Sequence, residues 1–322
     1  MTNQGDNPRN QPKPTMNDMT TQTDNLDAAI RTAASHANTE QPLTAAELPY
    51  VLPQHLNRTV YEKRTKAYDL FESDTIIQNL QRMDFVVRDA ITQKARGENG
   101  GGKNLTRHLY RLCRRTDFGK SELPELVLVN SHNGACSLRV YTGYFRLICE
   151  NGMICGGREN LRIRHMGHSM EEVLSAIRGV AETFSESYAK VDAFKTKFLS
   201  DGEIRDFGRK ANEIRVDIGL RPVDDPLALV APRRAEDSGN DLWSVFNRTQ
   251  ENLMKGGLEL TKNAEKFRME GDRMVRTRNR QTRPIRNIIQ NVGANTRLWT
   301  LAEEFYTGKP VEISEADIVP EL

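Results

Sequence analysis

The sequence predicts an α+β fold: an antiparallel, hairpin-rich sheet packed by a long helix, with a helical C-terminal half and a disordered N-terminal tail. Three observations predict it. Apolar residues alternate in short runs between Leu105 and His165, Asn-Gly pairs at Asn133-Gly134 and Asn151-Gly152 punctuate those runs, and the period changes from two to three or four at Val173. Alternation suits strands whose successive side chains face opposite ways, and Asn-Gly suits the tight turns that join antiparallel neighbours.

The first forty residues are rich in Asn, Thr, Gln and Pro and hold almost no large apolar side chain before Leu26 and Ile30. So little burial cannot offset the entropy of ordering. Residues 1–45 therefore read as a disordered tail, 46–220 as the α+β core, and 221–322 as a helical region with a basic mobile segment at 262–286. Ser73 suits the N-cap of a helix carrying Ile76, Ile77 and Leu80, and Phe85-Val86-Val87 follows as a short strand. Four glycines among residues 97–102 mark a loop. Strands are expected at 105–113, 126–130, 137–141, 144–150 and 161–164.

Ser169-x-x-Glu172 forms a capping box. The residues Val173, Ile177, Val180, Phe184, Tyr188, Val191, Phe194 and Phe198 then make a helical stripe. A helix of about thirty residues spans about 45 Å, enough to cover one face of the sheet. Ile204, Phe207, Ala211, Ile214 and Ile218 define the next helix, ended by Gly219 and Pro222. A Pro-rich crossing follows at 221–236, then helices at 241–255 and 296–306.

Composition excludes several classes. No run of about eighteen apolar residues occurs and the N-terminus lacks a basic-then-apolar leader, so neither a membrane span nor secretion is expected, and a cytoplasmic location is. Four cysteines with no Cys-x-x-Cys pair read as reduced thiols. With 46 Lys+Arg against 44 Asp+Glu the net charge is +2, so attraction to nucleic acid must come from local patches.

Four constellations carry possible chemistry. Gly97-x-x-x-x-Gly102-Lys103 has phosphate-loop spacing, but Asn104 stands where Ser or Thr would hold magnesium, and a strand-like segment follows it; no cofactor is expected. Cys149, Cys155, His165 and His168 fall within twenty residues, yet the spacing does not suit a structural zinc site, and no metal is expected. His108, Asn130, His132, Arg146, Asn151 and His165 gather in strands and turns that adjacent hairpins would bring to common sheet edges, where acid–base chemistry is feasible. Finally, Arg139 and Tyr141 share a strand face, with Arg146 beside Tyr144, a pattern suited to stacking bases and pairing phosphates; Arg273, Arg276, Arg278, Arg280 and Arg283 add a cationic run.

The segment 126–152, the upstream Arg107-His108-Leu109-Tyr110-Arg111, and the downstream segments 242–257 and 295–304 together resemble the phage- and plasmid-associated "domain of unknown function 932" family, over roughly 61–306. The family's Asn-Ser-His and Asn-Gly elements match Asn130-Ser131-His132 and Asn151-Gly152, and its Asn-x-x-x-Glu-Asn element matches Asn247, Glu251 and Asn252. The resemblance implies carriage on mobile DNA.

Three functions compete. A nucleic-acid-binding accessory protein that holds or anneals single-stranded DNA, with a homo-oligomer open to it, is favoured by the sheet-plus-helix layout and the basic 262–286 segment. An enzyme built on the Asn/His/Arg turn residues is weakened by the lack of a partner carboxylate, Glu150 being the nearest. An antitoxin or anti-defence factor that binds a host protein is compatible with the sequence and specifically indicated by nothing in it.

Overall fold

The computed structural model describes residues 41–44, 46–51, 68–94, 106–131, 136–147, 151–155, 161–182, 186–260, 267–270, 273–276 and 281–311. Its centre is a six-stranded antiparallel sheet of β1 (Phe85–Lys94), β2 (Thr106–Arg114), β3 (Glu122–Ser131), β4 (Leu138–Arg146), β5 (Asn151–Cys155) and β6 (Leu161–Ile163). Strands β1 to β5 lie side by side in chain order, and β4 divides its outer edge, residues 142–146 pairing with β5 and 138–140 with β6. The helices are α1 (Leu48–Val51), α2 (Ser73–Arg82), α3 (Met170–Glu182), α4 (Glu186–Thr196), α5 (Asp201–Asp217), α6 (Leu227–Val230), α7 (Leu242–Lys255) and α8 (Ile288–Thr307). A separate two-stranded ladder, β7 (Phe267–Glu270) and β8 (Arg273–Arg276), lies between α7 and α8 in sequence. No helix among the described residues is long and apolar enough to cross a membrane.

Both faces of the sheet are covered. Every residue of β3 after Glu122, and every residue of β4 before Arg146, is buried. On one face Tyr110, Leu126, Leu128 and Val140 pack with Ile76, Ile77 and Leu80 of α2 and Val173 and Ile177 of α3. On the other, Leu109, Val127, Val129 and Ile154 pack with Ile288 and Val292 of α8. A larger core joins Tyr144 and Met153 of the sheet to Phe194, Phe207, Trp243, Phe246 and Trp299 of the helices, so the helical half closes around the β5 end of the sheet.

Several local expectations change in detail. The stripe that begins at Val173 belongs to two helices: Val173 and Ile177 of α3 face the sheet, whereas Val191 and Phe194 of α4 enter the helical core. The Ser169 box forms, the Glu172 amide donating to Ser169 Oγ at 3.2 Å and the Ser169 amide to the Glu172 carboxylate at 2.8 Å. Ser73 is the first helical residue rather than the cap, and its hydroxyl meets a ring nitrogen of His108 at 2.7 Å. Helix α8 starts at Ile288, because Asn287 Oδ1 accepts from the amides of Ile289 and Gln290. The basic segment, expected to be extended or mobile, contains the β7–β8 ladder around Gly271-Asp272, with Phe267 opposite Arg276 and Glu270 opposite Arg273. Gly-Asp between two four-residue runs is itself a hairpin signal, obscured here by the density of charge.

The expected break between two strands at 141–144 does not occur. Strand β4 runs through Thr142 and Gly143, and Asn151-Gly152 opens β5 instead of turning the chain. Gly143 is required by proximity: a Cβ there would lie 2.7 Å from the Met153 carbonyl oxygen and 3.0 Å from a Val127 methyl. Backbone cannot give way as a side-chain tip can. Gly143→Ala is therefore expected to cost about 1–3 kcal/mol in urea unfolding through overpacking. Gly179→Ala, in α3 with nothing within 4 Å of the added methyl, should be neutral or gain up to about 1 kcal/mol from helix propensity. Equal effects from the two would remove the proximity argument.

Candidate functional site

The turn cluster expected from the sequence separates into two groups. At one end of the sheet His108 and Asn130 stand directly opposite each other on β2 and β3, both fully buried. Asn130 Nδ2 donates to the Phe71 carbonyl at 2.8 Å and to Ser73 Oγ at 3.1 Å, so imidazole, amide and hydroxyl meet under the start of α2. His165 lies beside this group, stacked on Tyr68 and Phe71 with Nδ1 3.0 Å from the Asp69 carbonyl. Burial pushes the Tyr110 phenol in the same group well up from its ordinary value. With His108 and Asn130 both fully buried, the group fastens the 68–73 segment across the sheet end. His132 lies outside the described residues.

Arg146 and Asn151 face each other at the opposite end, where Arg146 also stands opposite Glu122 of β3. Glu122 and Asn130 are eight residues apart on one strand, about 27 Å at strand rise. The two groups cannot share a substrate-sized site, so these residues do not converge as the enzyme alternative requires. Arg146 instead belongs to an alternating chain of charge. Lys195 and Arg146 hold Glu122, Arg146 and Arg234 hold Asp237, and Arg234 and Lys255 hold Glu251. This chain binds β3 and β4 to α4, to the crossing before α7, and to the end of α7.

Arg139 and Tyr141 do share a face, but that face is closed. They are 2 % and 1 % exposed, with Arg139 Nη1 donating to the Tyr141 hydroxyl at 3.3 Å. A sheet covered on both sides is no stacking platform for bases, which corrects the expectation of an open Arg/Tyr surface. The zinc-like set is likewise not assembled. Cys149 lies outside the described residues, His165 is stacked between rings, His168 is exposed, and Cys155 is in β5. Among the described residues no group of three His, Cys, Asp or Glu side chains is placed to hold a metal ion. The 97–103 loop also lies outside the described residues, but it joins β1 to antiparallel β2, not a strand to a helix.

The cationic run divides. Arg273 and Arg276 lie on β8, Arg283 follows the ladder's root, and Arg278 and Arg280 lie outside the described residues. The root is stitched by the Gly257 amide to the Thr282 carbonyl and the Thr282 amide to the Leu258 carbonyl, both 2.8 Å, with a bridge between Glu259 and Gln281. Gly256 enables this close approach, at φ +66° with a hypothetical Cβ 2.6 Å from the Thr282 carbonyl oxygen.

A site the sequence reading missed lies near that root. In β1 the register shifts between Val87 and Asp89, leaving Arg88 as the extra residue of a bulge. The bulge brings both Arg88 and Asp89 to the wall of a cleft of about 340 Å³. Below it Glu125, fully buried on β3, accepts from Arg88 Nε at 2.5 Å and Arg111 Nη1 at 2.8 Å; Arg111 Nη2 donates to the Gly152 carbonyl at 3.0 Å. The Arg88 guanidinium also sits 3.6 Å above the Phe145 ring. Gly152 is glycine because a Cβ there would fall 2.2 Å from the Arg111 guanidinium. Opposite, α7 supplies Gln250, Met254 and Lys255, and α8 supplies Asn291. Two Arg and one Glu scattered over three strands have no sequence signature, since only the register places them together.

Helix α7 carries six successive polar residues, Asn247 to Asn252, all buried. Asn252 donates to the Leu229 and Ala231 carbonyls, Arg248 to those of Asp237 and Gly239, and Gln250 to Asn295 Oδ1 at 2.9 Å.

A model of the family described as "Domain of unknown function (DUF932)" matches residues 60–299. The chain belongs to the DUF932 family. The match takes in the whole sheet, α7 and most of α8. The chain is also 31 % identical over 276 residues to the UPF0380 protein YafZ and 30 % identical over 276 residues to the UPF0380 protein YfjQ, both of Escherichia coli (strain K12). Each alignment covers 85 % of this chain and 96 % of the relative. No solved structure matches the chain.

Two outcomes are expected. Glu125→Gln leaves two buried guanidinium groups without their counter-charge and should cost about 3–5 kcal/mol in denaturant unfolding; a loss below about 1 kcal/mol would show that the pair is solvated. Burial, reinforced by the nearby Glu125 carboxylate, pushes the Cys113 thiol up to about 12, so its thiolate is scarce at any neutral pH. Peptide-level mass spectrometry after iodoacetamide at pH 8 should find Cys113 unmodified in the native protein and alkylated after unfolding.

Proposed function

We infer that the protein is a nucleic-acid-binding accessory factor of a mobile element, holding single-stranded DNA through the arm rooted at Gly257 and Thr282. The carrying observation is the placement of charge. Residues 262–286 hold nine Lys/Arg and three Asp/Glu, a net +6 in a chain of net +2, so the remainder carries −4. An arm of net +6 on a body of net −4 attracts phosphates where the body does not. Among the described residues the arm's β7–β8 ladder pairs with itself and with no strand of the main sheet. The sheet contributes scaffold instead of a platform, because both its faces are buried. The family resemblance to phage- and plasmid-borne chains supports the mobile-element setting, and the separation of His108 and Asn130 from Arg146 and Asn151 counts against the enzyme alternative.

Each arginine that neutralises a phosphate releases counterions, so affinity should fall steeply with salt. With about four contacts the log–log salt slope for single-stranded DNA is expected near −3, at about −0.7 per contact. Replacing Arg273 and Arg276 together by Ala should flatten it by about one to two units. Fluorescence anisotropy over a salt series measures both. No binding of single- or double-stranded DNA at low salt would overturn the reading and favour a protein partner.

A further inference from the structure

The cleft beside the bulge of β1 combines features that no structural role uses. Arg88 spends its Nε on Glu125, and its terminal nitrogens carry no hydrogen bond among the described residues. Asp89, turned to the same wall by the bulge, makes no hydrogen bond or ion pair among them either. Gln250 is 1 % exposed, and its Nε2 is committed to two oxygen acceptors, Asn295 Oδ1 and the Gly152 carbonyl. That fixes the amide's orientation and leaves Oε1 as a buried acceptor with no partner. A buried acceptor left unpaired costs free energy, so its persistence beside an open cleft points to a ligand that donates to it.

The lining describes that ligand. Guanidinium nitrogens without partners suit an anionic group such as a phosphate, and the Lys255 ammonium, paired with Glu251, stands at the rim. Two acceptors without donors, the Asp89 carboxylate and Gln250 Oε1, require the same ligand to present N–H or O–H groups. Ile91, Met254 and Pro284 add an apolar wall on which a flat ring can lie. A volume of about 340 Å³ is at the small end for ligand pockets, and suits one nucleotide better than a dinucleotide cofactor. Inorganic phosphate has no N–H donor and no ring for the apolar wall, and an uncharged nucleoside leaves Arg88 unpaired.

We propose that this cleft binds a single nucleotide, with its phosphate on Arg88 and the donors of its sugar or base on Asp89 and Gln250. Glu125 and Arg111 are positioning residues: Glu125 holds Arg88 Nε while the guanidinium sits over the Phe145 ring, and Arg111 holds Glu125. The nucleotide is either free or the phosphorylated end of a strand, and the chemistry of recognition is the same. The site adjoins the root of the arm but is lined by none of the arm's arginines, and it does not rest on the arm's binding of DNA.

The test is titration calorimetry of the full chain with the four ribo- and four deoxyribonucleoside 5′-monophosphates, with the matching nucleosides, and with inorganic phosphate. At least one monophosphate should bind, with nucleoside and phosphate each weaker by about tenfold or more. Asp89→Asn, at a half-buried residue with no partner to lose, should keep the melting temperature and weaken the nucleotide by about tenfold; Arg88→Met should abolish binding. Arg273→Ala with Arg276→Ala should leave nucleotide binding intact even if it abolishes strand binding, which separates this site from the arm. Competition by a 5′-phosphorylated but not a 5′-hydroxyl oligonucleotide would assign the strand end, and competition by neither would assign a free nucleotide. The proposal is overturned if no monophosphate binds at millimolar concentration, if phosphate alone binds as well, or if Asp89→Asn leaves affinity unchanged.

Discussion

One buried carboxylate organises the sheet. Glu125 has no access to water, so its charge must be met inside the protein, and the two guanidinium groups that meet it come from β1 and β2. A carboxylate stripped of water without such partners would be penalised by several kcal/mol. Arg111 then reaches on to the Gly152 carbonyl of β5. One side chain thus specifies how four strands are registered, because a one-residue slip in β1 or β2 would turn an arginine to the opposite face. The glycine at 152 and the bulge at Arg88 follow from the same constraint.

The second demand comes from α7. A helix buried along nearly its whole length would ordinarily be apolar on every side, yet this one holds Asn247 to Asn252 at its centre. Its side chains bond the Leu229 carbonyl at the end of α6, carbonyls of the crossing at 231–239, Asn295 of α8, and the charge chain that ends at Lys255. Backbone without regular structure has unpaired carbonyls that water would otherwise satisfy, and α7 satisfies them from inside. The crossing, α8 and the root of the basic arm are consequently held in one frame, with the cleft between that frame and the β1 bulge. Functional groups at such a place are fixed by the scaffold rather than by loops.

The sheet is committed to scaffolding. Tyr110 and Leu128 on one face, and Leu109 and Val129 on the other, commit the sheet to packing. Among the described residues, the cleft beside the β1 bulge stays open between that sheet and the frame built by α7 and α8.

The fold class, the starts of β1, β2, β4, β6, α3 and α7, and the charge of the arm are legible in the sequence. These are local properties: period two against period 3.6, Ser169 and Glu172 three residues apart, Gly219, Gly256 and Gly308 at helix ends, nine basic residues within 25. Each is legible because its cause lies within a few residues of its effect. The tertiary structure alone decided which polar residues meet. His108 and Asn130 pair because β2 and β3 are in that register, Arg146 and Asn151 lie at the far end of the same sheet, and Arg139 and Tyr141 are closed off on the sheet face against which α8 packs. Gly143 looked like a turn because glycine marks both turns and close backbone approach, and only the Met153 carbonyl distinguishes them. Arg88, Glu125 and Gln250 carry no local signal at all; they converge because a bulge, a register and a helix packed more than a hundred residues later bring them together, and no window along the chain contains all three.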